Sequence, residues 1–337
     1  YKHLSPQGFT GAPKKRPLPI ETVKDQPTLR LIFVYLYYEK VEVFLSQLKI
    51  NGKTESLCIF GNPVGHSKSP LMHNALFDAL GINACYLPYA PAPENLPKAI
   101  QGFRSMNFRG ANVTIPFKTD VMGFVDELSD ISNFTGSVNT LYWKDGVIGG
   151  TLCGTTTDPY GCIRNLEEFG VSPTQMNVAL LGNGGAAKAI AYTLVEQQNM
   201  LTIVCRTKEK GDALAQSLNK FFDGKTPVVE VTTFSQFAAI SPSIDLIINA
   251  TSVGMNEDKS PLEESDLRPG QIVCDIVYTP LHTKLLIQAQ NRGCKIVTGE
   301  GMLVHQGIES FRKWFPNETL NKTNEELATI MRKALVG

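Results

Sequence analysis

From Asn177 to Gln197 the chain passes from a short apolar run, through a cluster of small residues, into a helical repeat. Asn177–Leu181 reads Asn-Val-Ala-Leu-Leu, a pattern without polar alternation that suits a strand buried on both faces. Gly182-Asn183-Gly184-Gly185-Ala186-Ala187 follows, and residues 188–197 then carry apolar side chains at helical spacing. Small residues at such a turn let the backbone approach a pyrophosphate, and the new helix offers its free N–H groups to the anion. In this strand–loop–helix setting, G-x-G-x-x-A is a dinucleotide fingerprint. It commits this part of the chain to an α/β fold with a mostly parallel sheet.

The following segments are consistent with that fold. Residues 201–205 read as the next strand and end in Arg206-Thr207-Lys208, with Lys210 beyond. An acidic residue there would bond a ribose 2′-hydroxyl. A basic one suits the 2′-phosphate of NADP. Residues 245–250 form another strand and lead into the glycine-containing loop Asn249-Ala250-Thr251-Ser252-Val253-Gly254-Met255, on the side where a nicotinamide would lie. Residues 272–277, 283–291 and 295–297 read as strand, helix and strand. A long helix opens near Gly299 and runs through Trp314, and a closing helix follows Asn317.

The first half alternates strands and helices too, implying a second sheet with ligands outside its carboxyl ends. Residues 57–60, 84–90 and 111–115 read as strands, with helices over 71–80 and 93–106. Residues 118–132 read as helical, 136–141 as a turn entering a strand, and 147–152 as a further strand candidate. Two places in this half could carry chemistry. Ser67 and Ser69 flank Lys68 just before a helix, where one serine would more commonly serve as a cap but two suit an anionic ligand. In Ala111-Asn112-Val113-Thr114-Ile115-Pro116-Phe117-Lys118, the proline ends the strand and a single lysine follows. Held beside Asn112 and Thr114 that cation could meet a ligand, although a lysine after a strand is more often on the surface.

At 337 residues two domains are expected. Lys plus Arg equals Asp plus Glu at 32 each, which points to neither nucleic acid nor a membrane surface. No apolar run approaches the ~18 residues of a membrane span. The 7 cysteines include no Cys-x-x-Cys pair, which suits reduced thiols in a cytoplasmic setting, and the dispersed histidines offer no metal cluster. Residues 1–56 stand apart, with nine Lys/Arg against five Asp/Glu, a net +4 that the remainder balances. They open on Tyr1 rather than Met, as a processed or excised chain would, and read as a basic arm of uncertain structure, a leader or fusion remnant.

Taken together, several motifs resemble the shikimate dehydrogenase family over about residues 57–316. They are Gly61-Asn62-Pro63 through His66-Ser67-Lys68-Ser69-Pro70, residues 112–118, Gly136-Ser137-Val138-Asn139-Thr140, Thr157-Asp158, residues 182–187, residues 249–255, Tyr278 with Pro280, and Gly301-Met302-Leu303 with Gln306. The resemblance implies NADP-linked interconversion of 3-dehydroshikimate and shikimate. It implies an α/β substrate domain over residues 57–158, completed by about 303–337, and a Rossmann-type NADP domain over 159–302. Carried over by motif, Lys118 and Asp158 would be the catalytic pair. Ser67, Ser69, Thr114, Asn139, Thr157, Tyr278 and Gln306 would hold the substrate. Gly182, Asn183, Gly184, Gly185, Ala186, Arg206, Thr207, Lys210, Thr251, Val277, Gly299 and Met302 would hold NADP.

Three positions depart from the family pattern: Thr156 before the Thr-Asp pair, Thr279 after the tyrosine, and Cys205 before the Arg-Thr of the cofactor loop. Relaxed quinate/shikimate specificity, with NAD in place of NADP, is the nearest alternative reading. A non-catalytic regulator reusing the fold is the reading from another class, and the presence of both Lys118 and Asp158 speaks against it. The expected partners are the small-molecule substrate, a second copy of the chain if it is a homodimer rather than a monomer, and a fused domain of the same pathway such as a dehydroquinase.

Overall fold

The computed structural model describes residues 50–336. The expectations for the basic arm before residue 50 therefore lie outside the described residues. The first sheet contains β1 (Glu55–Phe60), β2 (Ala84–Tyr89), β3 (Gly110–Val113), β4 (Glu127–Leu128), β5 (Thr140–Trp143) and β6 (Leu152–Thr155), in the spatial order β2-β1-β3-β5-β6-β4. Only β5 runs against its neighbours, β3 and β6. The second sheet contains β7 (Asn177–Leu181), β8 (Met200–Cys205), β9 (Glu230–Thr233), β10 (Leu246–Asn249), β11 (Ile272–Asp275) and β12 (Lys295–Val297). Its order is β12-β11-β10-β7-β8-β9 and every pair is parallel. The winding reverses between β7 and β10, which opens a crevice beyond their carboxyl ends.

Apolar clusters cover both faces of each sheet, as expected for strands that are apolar on both sides. Two helices tie the sheets together. Asp158–Glu168 leads from β6 toward β7 and packs its Cys162, Ile163 and Leu166 against the second sheet. Glu300–Trp314 leads back from β12 to the first sheet, where the buried Trp314 indole donates to the Leu141 carbonyl at 2.9 Å. The last helix, Asn324–Val336, packs Leu327, Ala328 and Met331 beside Met72, Leu76 and Phe77 of the helix Ser69–Leu80.

Two expected elements differ from what forms. Residues 118–132 are not one helix. A 3₁₀ turn at Asp120–Phe124 gives way to extended chain, to β4, and then to a short helix at Asp130–Thr135 capped by Ser129. Asp126 explains the break. Its carboxylate accepts from the Leu152 amide at 2.7 Å and from Arg104, and its own amide donates to the Leu152 carbonyl at 2.8 Å. These sheet and side-chain partners outweigh local helix propensity. Residues 147–152 are mostly turn, because Gly146 and Gly149 take left-handed φ and Val147 faces solvent. The strand starts only at Leu152. Neither β9 nor the helix Lys208–Phe222 was anticipated.

His73 lies in an aromatic cage, stacked on Tyr86 at 4.6 Å with the Trp314 ring at 5.1 Å. Neither ring nitrogen has a hydrogen-bond partner. Burial drives its pKa from 6.5 down to about 3, and the Asn112 side chain offsets this only in part without reaching either nitrogen in hydrogen-bond geometry. Between those two values the unfolded chain binds a proton that the folded chain refuses. Stability should therefore fall as pH drops from about 6.5 toward 3. Glu168 adds to this at lower pH, because Arg332, with a smaller contribution from His305, holds its carboxyl at about 2 instead of 4.5. Its stabilisation is present above 4.5 and lost as pH falls toward 2. Chemical denaturation across this range should show His73→Leu with a flatter slope between 4.5 and 6.5 than the parent chain. An unchanged slope would remove His73 as its source.

Candidate active site

A cavity of about 630 Å³ lies between the carboxyl ends of the two sheets. One wall is built by Asn112, Val113 and Thr114 at the end of β3, by Ser67, Lys68 and Ser69, and by Lys118, Asn139 and Asp158. The other wall is built by Gly184, Gly185 and Ala186 after β7, Thr251 and Ser252 after β10, Val277 and Tyr278 after β11, and Gly299 after β12. Met302, Leu303 and Gln306 of the long connecting helix close the base.

The first wall carries a short ion pair. Lys118 Nζ lies 2.5 Å from Asp158 Oδ2, with both side chains about 30% exposed. Lys118 arrives on the turn that follows β3 once Pro116 has ended the ladder. Asp158 is the first residue of its helix, with Thr157 at the N-cap, so the helix N-terminus favours its negative charge. Its other oxygen, Oδ1, accepts from Asn139 Nδ2 at 2.8 Å. The carboxylate thus has a partner on each oxygen, and the ammonium keeps donor capacity toward the cavity.

Ser67 and Ser69 flank Lys68 at the helix start, and the Lys68 side chain makes no cap bond. Lys68 occupies the cap position and the Ser69 amide donates to Ser67 Oγ at 3.3 Å. Both serines line the cavity. Thr114, Asn139, Tyr278 and Gln306 line it too. Thr157 does not. It is buried behind Asp158, where its hydroxyl meets Asn139 and Ser310.

The glycine turn fits a dinucleotide. Gly182 has a φ of 110°, and a Cβ there would come within 3.0 Å of Thr251. Space in front of Gly184 and Gly185 is open, and the twelve-residue helix Gly185–Glu196 begins at that point. Gly182 and Asn183 are not among the residues that line the cavity. Arg206 and Thr207 are exposed just past β8, one strand away, and Lys210 follows in the first turn of the next helix. The cofactor candidates thus divide into a cavity-lining group and a basic group at the neighbouring strand end.

Reading the chain missed the side chains that hold these loops. Asn249 accepts from the Thr251 amide and hydroxyl, at 3.1 and 2.7 Å, and donates to Asp275 Oδ1 at 3.0 Å. Asp275 is buried, takes the Thr283 hydroxyl at 2.7 Å and the Val277 amide at 3.0 Å, and has its pKa raised by that burial. One carboxylate therefore fixes two cavity loops. Its only sequence mark was an acid at the end of an apolar strand. Ser310 and Thr140 were missed too, although Ser310 stands four residues after Gln306, on the same helix face.

The chain is similar to known proteins over most of its length. Residues 59–141 match the model of the shikimate dehydrogenase substrate binding domain. Residues 166–260 match that of shikimate / quinate 5-dehydrogenase. A shikimate dehydrogenase (NADP(+)) of Pyrococcus furiosus is 46% identical over 272 residues, 80% of this chain and 93% of the relative. The crystal structure of a shikimate dehydrogenase in complex with NADP+ aligns with a TM-score of 0.73 at 34% identity, covering 84% of this chain and 96% of that one. A shikimate 5-dehydrogenase from Listeria monocytogenes, in complex with shikimate and NAD, aligns with a TM-score of 0.76 at 32% identity, covering 85% and 98%.

Proposed function

The chain belongs to the shikimate dehydrogenase family, and we propose that it interconverts 3-dehydroshikimate and shikimate with NADP as hydride partner. The observation that carries this is the 2.5 Å Lys118–Asp158 pair on one wall of a cleft whose other wall begins the glycine-turn helix. The division of labour follows the two sheets. Residues 57–158, completed by about 303–337, hold the substrate, and residues 159–302 hold the nucleotide. The seven cysteines are all free thiols, which supports a reducing, cytoplasmic setting. Among the described residues, no helix is long and apolar enough to cross a membrane.

Bound in this cleft, the nicotinamide would supply or accept the hydride. The chain's own groups manage charge and protons. Reduction of a ketone places negative charge on its oxygen, and Lys118 Nζ neutralises that charge and delivers the proton. In the reverse direction the same nitrogen receives the hydroxyl proton. Asp158 holds the amine in line. Ser67 and Ser69, near the helix Ser69–Leu80, take the substrate carboxylate. Thr114, Asn139, Tyr278 and Gln306 take its hydroxyls. Thr157 supports Asn139 from behind instead of touching substrate.

Steady-state turnover of shikimate and quinate, each with NADP and NAD, tests the reading. Shikimate with NADP should give the highest kcat/KM, and absence of shikimate-dependent NADPH formation would sink the proposal. Arg206→Ser extends the test to the cofactor. Removing a charge-assisted contact of about 1.5–3 kcal/mol should raise the KM for NADP by about 10- to 100-fold. The KM for NAD should barely move. Equal effects on both cofactors would exclude a 2′-phosphate contact.

A further inference from the structure

We infer that Thr140 and Ser310 are positioning residues for the Lys118–Asp158 pair, acting through Asn139 at the end of a directed chain of buried hydrogen bonds. The inference rests on the reaction proposed above and follows from counting protons along the chain. A carboxylate can only accept and a backbone N–H can only donate. Asn139 must therefore turn Nδ2 toward Asp158 Oδ1, at 2.8 Å, and Oδ1 toward the Thr157 amide, at 2.9 Å. Thr140 Oγ1 lies 2.7 Å from the same Asn139 oxygen, so its single proton points there. From Ser310 Oγ, at 2.8 Å, Thr140 can then only accept.

Ser310 gives its single proton to Thr140 at 2.8 Å, the shorter contact, over the Gln306 carbonyl of its own helix at 3.1 Å, and receives Asn112 Nδ2 at 3.0 Å. The Asn112 amide is oriented in turn, because its nitrogen also meets the Asn139 carbonyl oxygen at 3.1 Å and its oxygen takes the Tyr86 hydroxyl at 2.7 Å. Burial keeps that phenol protonated and hence a donor. Donation thus runs one way, from Tyr86 through Asn112, Ser310, Thr140 and Asn139 to Asp158. Every group before Asp158 is buried. In such surroundings each bond polarises the next, and a missing link leaves its neighbour free to turn. Two helices and three strands contribute, so the chain also registers the base of the cleft against the first sheet.

Single-turnover hydride transfer separates positioning from folding, since its amplitude counts competent molecules and its rate constant reports their geometry. Thr140→Val removes the hydroxyl at nearly constant shape. Its rate constant, and that of Ser310→Ala, should fall by about 10-fold and by up to about 10²-fold if the carboxylate is misplaced by an ångström. The NADP dissociation constant should stay near the parent value. Thr140→Ser keeps the hydroxyl and should recover most of the rate. Ile308→Val trims the buried core of the same helix and should lower the thermal midpoint while leaving the rate constant alone. Parent-like rate constants in both Thr140→Val and Ser310→Ala, whatever their amplitudes, would overturn the inference while leaving the proposed reaction in place. A parent protein inactive on shikimate would remove both.

Discussion

Lys118→Ala should lower kcat for shikimate oxidation by roughly 10²–10⁴-fold, the range spanned by a single well-placed proton-transfer group. Its amine is held 2.5 Å from Asp158 on the cavity wall, where the proposed reaction needs a proton donor. The carboxylate that the substitution strands keeps its bond to Asn139 and its place at a helix N-terminus. About 30% exposure of both partners also lets water replace the lost ammonium. Such a partly screened pair contributes at most about 1 kcal/mol to stability. The thermal midpoint should therefore hardly move while turnover collapses, a separation that a merely structural ion pair would not produce. The NADP dissociation constant should be unchanged, because the glycine-turn helix is untouched. Steady-state kinetics and a thermal melt on the same preparation decide the matter. Activity within a few-fold of the parent would exclude Lys118 as the proton donor.

The parts of this molecule legible in its sequence were those with short-range marks. The turn at residues 182–187 announced itself because its glycines, strand and helix are contiguous, and the structure places Gly184, Gly185 and Ala186 on the cavity wall. The helix over 71–80 was readable for the same reason, and it forms with Pro70 in its first turn. The pairing of Lys118 with Asp158 spans 40 residues and no periodicity encodes it; family resemblance pointed to it. Where local pattern misled, distant partners had intervened. Residues 118–132 have helical spacing, yet Asp126 finds Leu152 and Arg104, and the helix breaks there. The hydroxyls of Thr140 and Ser310 looked ordinary because their partners lie 170 residues apart in the chain.

Gly161→Ala tests whether the two connecting helices set the geometry of the cleft. Gly161 sits three residues after Asp158 on the helix Asp158–Glu168, where that helix crosses Glu300–Trp314. An added Cβ would meet the Met302 carbonyl oxygen at 2.7 Å, the Gln306 amide at 2.8 Å and Gln306 Cβ at 2.9 Å. Two of these are backbone atoms, which cannot rotate away, so the helices must separate. Overpacking of this kind typically costs about 1–3 kcal/mol, and more where the backbone cannot yield. The same separation would carry Asp158 away from Lys118 and Gln306 away from Asn139, which it now approaches at 3.5 Å. A misplacement of about 1 Å can cost about 10²-fold in rate, so kcat should fall well beyond the loss of folded protein. Gly123→Ala is the matched control, because a methyl there meets nothing and its backbone is not left-handed. It should be neutral, or slightly stabilising through the unfolded chain. Thermal unfolding and single-turnover rates of the two variants should therefore diverge. If they behave alike, the close crossing at Gly161 neither limits stability nor positions the pair.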